Sequence, residues 1–244
     1  MKIALIGYGV MGQLVADLAR KRGDEAGTTI TSKESALSVD QLAEKLHGHD
    51  VAIDFSIGEA VLRNVEACAR AKVALVEGTT GWKQYEPAAK QIVTEHAGAI
   101  VYGANFSIGV NLFYRITEQA AALFAAVEGY APFIEEAHHG RKRDAPSGTA
   151  LKLRDLISEH LGPEISTAST RAGHIPGTHR VGFDSEADQI LLTHTARSRH
   201  GFASGALVAA HWIVGRKGIF EFAEVIDEII ADFQLPISNS KRGK

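Results

Sequence analysis

Cysteine is nearly missing from this sequence: Cys68 stands alone among 244 residues, so no intramolecular disulfide can form. It lies on the apolar face of a helical pattern, Val61-Leu62-Arg63-Asn64-Val65-Glu66-Ala67-Cys68-Ala69, where core packing is its expected role. Excess positive charge is missing too. A formal net charge of -3 leaves no basic footprint, so nucleic acid is not expected as a partner. No apolar run reaches the roughly 18 residues that a membrane span needs. The N-terminus enters a strand-like run at once, without a separate apolar signal segment. No internal repeat or low-complexity tract is visible. His174, His179, His194 and His200 fit no zinc spacing and have no cysteine near them. They are expected to be structural or surface histidines, and no metal is expected. A cytoplasmic protein of ordinary globular composition remains, with 45% hydrophobic and 23% charged residues.

The first hundred residues alternate β-rich runs with helical patterns, which predicts βαβ units and a parallel sheet. Strands are expected at Lys2–Ile6, Glu25–Thr31, Val51–Phe55, Val73–Val76 and Ala99–Tyr102. Helices are expected over Val10–Arg22, around Leu42 and Leu46 behind a Ser38/Gln41 capping box, over Ala60–Ala71 and near Ala88–His96. The fold class is therefore α/β, a Rossmann-like doubly wound parallel sheet. Past Asn105 the rhythm changes to a long helix near Val110–Ala126, a strand ending at His139 and a helix over Thr149–His160. The Gly-, Ser-, Thr- and Pro-rich stretch Glu164–Asp188 resists assignment. A strand at Gln189–Thr195 and helical patterns at Ala203–Val214 and Phe220–Phe233 follow, and the polar end from Asn239 is expected to fray. Residues 1–107 with 200–244 are expected to form the dinucleotide-binding domain, and 108–199 an α+β domain.

Gly7-Tyr8-Gly9-Val10-Met11-Gly12 is a Gly-x-Gly-x-x-Gly that follows the first strand and opens a helix. Gly7 permits the tight turn, Gly9 lets the backbone approach a pyrophosphate, and Gly12 allows close helix–strand packing. The acid usual about 20 residues later, which would bind the ribose hydroxyls of NAD, is replaced by Thr31-Ser32-Lys33. Hydroxyls beside a lysine suit a 2′-phosphate, which favours NADPH with NADH still possible. The other reading makes Lys33 a solvated loop residue and lets the site take both. Gly78-Thr79-Thr80-Gly81 and Gly103-Ala104-Asn105-Phe106 fall at later strand ends, where open α/β sheets bind ligands. Thr80 or Asn105 could orient a nicotinamide ring.

The densest chemistry lies in Glu135-Glu136-Ala137-His138-His139-Gly140-Arg141-Lys142-Arg143-Asp144-Ala145-Pro146-Ser147-Gly148-Thr149-Ala150. Imidazole and ammonium groups move protons and hold anions near neutral pH. Ser147-Gly148-Thr149 reads as a helix start whose free N–H groups can grip a carboxylate.

These strings resemble the dihydrodipicolinate reductase family, also called 4-hydroxy-tetrahydrodipicolinate reductase, almost end to end. Besides the His-His-x-x-Lys core, Ile53-Asp54-Phe55-Ser56, Ala104-Asn105-Phe106-Ser107-Ile108-Gly109-Val110-Asn111, Ser198-Arg199 and Phe202-Ala203-Ser204-Gly205-Ala206 carry the resemblance. It implies a reductase of diaminopimelate and lysine biosynthesis that acts on a cyclic, unsaturated dicarboxylate. It implies His138 as proton donor, Lys142 as second donor or charge partner, and His139, Gly148 and Thr149 as substrate contacts. Gly7 to Gly12, Gly78 to Thr80 and Gly103 to Phe106 would bind the cofactor, and a homotetramer would form through the second domain. Arg199 is placed by its context at the domain junction, where it could meet either ligand. Two departures stand out: the missing acid after the second strand, and Gly177-Thr178-His179 where the family has Gly-Glu-His.

Hydride delivery to a conjugated ring requires a proton at the neighbouring carbon, and an acid with a pKa near working pH supplies it best. A non-catalytic dinucleotide-binding redox sensor would keep the glycine loop without needing the His138, His139 and Lys142 set. Another two-domain dehydrogenase would need other catalytic groups, such as a cysteine nucleophile, and Cys68 lies in a helix.

Overall fold

The computed structural model describes residues 1–233, so the tail expected to fray from Asn239 lies outside the described residues. The chain forms two compact units, one of residues 1–106 with 202 onward and one of residues 107–201.

In the first unit β1 (Lys2–Ile6), β2 (Glu25–Ile30), β3 (Val51–Asp54), β4 (Ala74–Glu77) and β5 (Ala99–Tyr102) alternate with four helices. These are α1 (Val10–Lys21), α2 (Val39–Leu46), α3 (Val61–Ala71) and α4 (Glu86–Glu95). Every residue of β3 and β4 is buried, as strands covered on both faces must be. The Ser38 capping box forms: Gln41 N–H donates to Ser38 Oγ at 3.3 Å, and Ser38 N–H to Gln41 Oε1 at 3.0 Å. Cys68 is 1% exposed in a cluster with Leu42, Leu46, Val65 and Leu75. Burying each such aliphatic side chain contributes about 1.5–3 kcal/mol.

The second unit contains α5 (Ile108–Phe124), β6 (Ala131–His138), α6 (Gly148–Leu161), β7 (Ser166–Arg171), β8 (Thr178–Asp184) and β9 (Gln189–Thr195). Its sheet runs β7-β6-β8-β9, with β6 parallel to β7 and antiparallel to β8. Phe113, Ile134, Leu153, Ile157, Val181 and Phe183 form its core, so α5 and α6 cover one face. The stretch that resists assignment from sequence holds two strands. β7 reads Ser-Thr-Ala-Ser-Thr-Arg and buries none of its residues fully, so it shows no apolar alternation. β8 does alternate, burying His179, Val181 and Phe183, but Gly182 interrupts the pattern. Gly182 is needed there because a Cβ would strike the Phe133 ring.

The chain then returns through α7 (His200–Ile213), β10 (Gly218–Glu221) and α8 (Phe222–Phe233). The helix expected from Phe220 therefore starts two residues later, behind a strand that pairs parallel to β5. The first sheet runs β10-β5-β4-β3-β1-β2, and all its pairings are parallel. The strand order reverses at β1. All six carboxyl ends share one edge, and ligands of open α/β sheets bind outside that edge.

Candidate active site

Within the first unit, two cavities open along that edge. One, of about 450 Å³, is walled by Gly7, Tyr8 and Gly9, by Thr31, Ser32 and Ser35, and by the turn and helix after β3, including Phe55, Ser56, Arg63 and Asn64. Gly7 has φ +82°, and a Cβ on it would collide with the Phe55 carbonyl. Gly9 caps α1 without a side-chain bond, and a Cβ there would meet nothing within 4 Å. Gly12 packs directly on the Gly7 carbonyl. Backbone N–H groups at an unblocked helix start, beside a turn with room for close approach, fit a pyrophosphate. Val10 is 64% exposed and Met11 half-buried, and neither lines this cavity. Ser32 does line it, while Lys33 is exposed and stands outside the wall.

The second cavity, about 350 Å³, is lined by Thr79, Thr80, Gly81, Tyr102, Gly103, Ala104 and Glu221. Gly78 is half-buried where a Cβ would strike the Phe55 ring, and Phe106 is buried on Phe55 and Phe222. Phe106 thus supports the turn from below. Asn105 is half-buried and does not line this cavity.

Beneath both cavities lie two fully buried acids, Asp54 and Glu77, facing one another in the β3/β4 register. Asp54 Oδ1 accepts from Ser56 N–H at 2.8 Å and from Thr79 Oγ at 3.3 Å; Oδ2 accepts from Asn64 Nδ2 at 2.7 Å. Glu77 Oε1 accepts from Thr79 N–H at 2.8 Å. Burial raises the Asp54 pKa, and burial together with the Asp54 charge pushes Glu77 well above the carboxylate range. Two carboxyls in one dry site cannot both ionise. Sequence reasoning gave neither a role.

The second unit assembles its site by strand register. Period-two alternation along β6 buries Ile134, Glu136 and His138. Glu136 faces Ser169 on β7 and His179 on β8, and His138 faces Arg171. Glu136 Oε1 accepts from Ser169 Oγ at 2.7 Å, Arg171 Nη2 at 2.7 Å and Ser147 N–H at 3.0 Å. Its Oε2 lies 3.3 Å from His138 Nδ1 and 3.6 Å from His179 Nε2. Burial alone would raise the Glu136 pKa, but bonds from Ser147, Arg171 and Ser169 outweigh it and hold the group at about 2. Glu136 is therefore a fixed anion, and it faces the Nδ1 edge of His138. The Nε2 edge borders Gly177, where a Cβ would come within 3.3 Å of the ring. Burial lowers the pKa of His138, and burial with the neighbouring His138 charge takes His179 to about 4.

His179, grouped from sequence with the structural histidines, thus belongs to the site: its ring meets that of His138 edge-on at 5.0 Å. Glu136, His138 and His179 offer three donor atoms within 4.8 Å of one another. Arg171 already compensates the Glu136 charge there. His194 meets the Phe113 ring at a tilt, and His200 is exposed and bonded to Ser198. Lys142 is half-buried and pairs with Asp144 at 2.9 Å, and its N–H donates to the His139 carbonyl at 3.0 Å. Ser147 caps α6, accepting from Ala150 N–H at 3.2 Å and meeting His179 Nε2 at 3.1 Å. Gly148 and Thr149 are the first two residues of α6, whose N–H groups point out of the helix start. Arg199 is exposed in the segment between β9 and α7.

Residues 1–106 match the family model described as dihydrodipicolinate reductase, N-terminus, and residues 109–226 the one described as its C-terminus. The chain belongs to the dihydrodipicolinate reductase family. Members are 4-hydroxy-tetrahydrodipicolinate reductases, and this membership sets aside the sensor reading. The reductase of Christiangramia forsetii is 36% identical over 248 residues, covering 94% of this chain and 99% of that protein. That of Anaeromyxobacter dehalogenans is 38% identical over 228 residues, covering 84% and 83%. In fold, the chain resembles the dipicolinate-bound dihydrodipicolinate reductase of Paenisporosarcina (TM-score 0.74, 21% identity, 91% and 97% covered). A probable dehydrogenase of Thermotoga maritima shares the architecture at a TM-score of 0.61 and 8% identity, with 94% of each chain covered. The family fold and the glycine loop assign a nicotinamide dinucleotide to the first unit of this reductase.

Proposed function

We propose that this chain reduces 4-hydroxy-tetrahydrodipicolinate to tetrahydrodipicolinate in diaminopimelate and lysine biosynthesis, with NADPH preferred over NADH. One observation carries the residue assignments: a buried imidazole, His138, held against an ionised Glu136 and close in sequence to a lysine and a helix N-terminus. When bound, the cofactor supplies the hydride. Gly7 to Gly12 hold its pyrophosphate at the start of α1, and Ser32 lies towards the adenosine ribose. Thr79, Thr80, Gly103 and Ala104 hold its nicotinamide end, Gly78, Asn105 and Phe106 shape those turns, and Arg199 is a further cofactor contact.

His138 donates the proton that follows the hydride. Burial keeps its pKa below the ordinary value, which disfavours the imidazolium in the free site. A substrate bearing two carboxylates reverses this, because negative charge beside the ring favours the charged form. Glu136 orients the ring and stabilises its charge. Lys142 meets one substrate carboxylate after leaving Asp144, and the N–H groups of Gly148 and Thr149 with His139 hold the other. The second unit also leaves Leu112, Ile116 and Leu123 of α5 and Ile190 and Leu191 of β9 exposed, which supports a homotetramer built through it. Among the described residues no helix is long and apolar enough to cross a membrane, and a cytoplasmic location is proposed.

The test is cofactor oxidation with substrate made in situ by the preceding synthase. His138→Gln should lower kcat about 100-fold or more. The acid pKa seen in the kcat profile should lie above that in kcat/KM, since only the former reports the substrate complex. Near wild-type turnover in His138→Gln would remove His138 from this role.

A further inference from the structure

Lys33, the cation expected to read a 2′-phosphate, stands outside the adenosine-side cavity, and a different cation lines it. Arg63 reaches that wall from the first turn of α3. Its Nη1 donates to the carbonyls of Ser35 at 2.6 Å and Glu34 at 3.3 Å. Its Nε and Nη2 both reach Asn64 Oδ1, at 3.4 and 3.2 Å. Asn64 is fully buried and tied on its other side to Asp54. The guanidinium is thus held on two sides. Its charge, with one remaining Nη2 N–H, is fixed beside the Ser32 and Ser35 segment. Glu34, the first carboxylate after β2, is engaged elsewhere. Its Oε2 accepts from Thr31 N–H at 2.9 Å and Thr31 Oγ at 2.8 Å, and its Oε1 pairs with Lys45 at 3.7 Å. Hydrogen bonds from Thr31 hold its pKa below the ordinary value, so it remains a bonded anion inside its capping turn.

We propose that Arg63 is the specificity-determining residue for the cofactor, reading the 2′-phosphate of NADPH together with the hydroxyls of Ser32 and Ser35. The proposal rests on the NADPH preference stated above and replaces Lys33 as its cause. A fixed guanidinium suits a phosphomonoester, which carries nearly two negative charges and offers three acceptor oxygens. A ribose diol needs an acceptor instead, and a guanidinium has none. The competing role is structural: Arg63 would only staple residues 32–35 to α3. That role would affect both cofactors alike.

Calorimetry on the full chain separates the two, with adenosine 2′,5′-bisphosphate and adenosine 5′-monophosphate as paired probes, beside kcat/KM for NADPH and NADH. Wild type should bind the bisphosphate more tightly. Arg63→Gln should lose about 10- to 100-fold on the bisphosphate and on NADPH, the range of a charged hydrogen bond, while the monophosphate affinity follows wild type. Lys33→Ala should keep the wild-type NADPH:NADH ratio. Arg63→Lys, which retains the charge without its fixed fork, should give intermediate discrimination and covers the case in which the glutamine variant does not fold. Equal losses on both probes in the Arg63 variants would overturn the proposal and leave a structural staple, with the NADPH preference intact. Loss of the ratio in Lys33→Ala would overturn it in favour of the lysine. A wild type that binds both probes equally would bring down the NADPH preference itself, and this proposal with it.

Discussion

Glu136 sets the character of the second-unit site, because its two oxygens have different duties. Oε1 is saturated by Ser147, Ser169 and Arg171, and Oε2 is left to the histidines. Glu136→Gln keeps the shape and removes the charge. It should lower kcat about 10- to 100-fold and move the acid pKa of the rate profile downward, because imidazolium loses its partner. A purely structural Glu136 would lower stability without moving that pKa. The same groups fix how this site responds to acid. Glu136, held at about 2 instead of 4.5, stabilises the fold above pH 4.5 and loses that contribution as pH falls towards 2. His179, held at about 4 instead of 6.5, stabilises it above pH 6.5 and loses that contribution as pH falls towards 4. Each difference is worth about 3 kcal/mol at most. Thermal melts from pH 7 to pH 3 should show falling Tm, with the upper part of the fall reduced in His179→Gln.

At the scale of elements, β1, β5 and β9 were legible to the residue, because each carries a compact apolar or alternating run between turn signals. β7 was not, since its polar residues owe their strand to pairing with β6 rather than to a buried face. β10 was hidden because Phe220 continues the apolar rhythm of α8. The site divides in the same way. His138, Lys142 and the α6 cap lie within a dozen residues and could be read together. Arg171 and His179 reach Glu136 only through cross-strand register, 35 and 43 positions away, and no local spacing announces that. Arg63 was hidden for a related reason, because it serves the end of β2 from α3. One element-scale feature bears on assembly. Leu112, Ile116 and Leu123 of α5 expose apolar surface that water disfavours. If the proposed homotetramer forms through this face, Ile116→Asp should shift its sedimentation velocity towards smaller species. An unchanged profile would remove this face from the proposed assembly.

Across the whole molecule, titrating groups of opposite sense coexist. In the second unit Glu136 and His179 favour high pH. In the first, Glu77 is raised, so its contribution is full below pH 4.5 and is lost as pH rises through its folded pKa. Glu77→Gln, which needs no proton to stay neutral, should therefore raise Tm more at pH 8 than at pH 5. A gain independent of pH would show that Glu77 is ionised in the fold.

The pairing of Asp54 with Glu77 also gives the molecule a spectroscopic mark. A protonated carboxyl has a carbonyl stretch distinct from every ionised carboxylate around it. Infrared difference spectra of wild type against Glu77→Gln should contain that band and lose it as pH rises through the raised Glu77 pKa. Since Thr79 ties Glu77 to the cavity floor, ligands that press on this turn should shift the band's frequency. The buried proton would then report cofactor arrival without a label and without turnover.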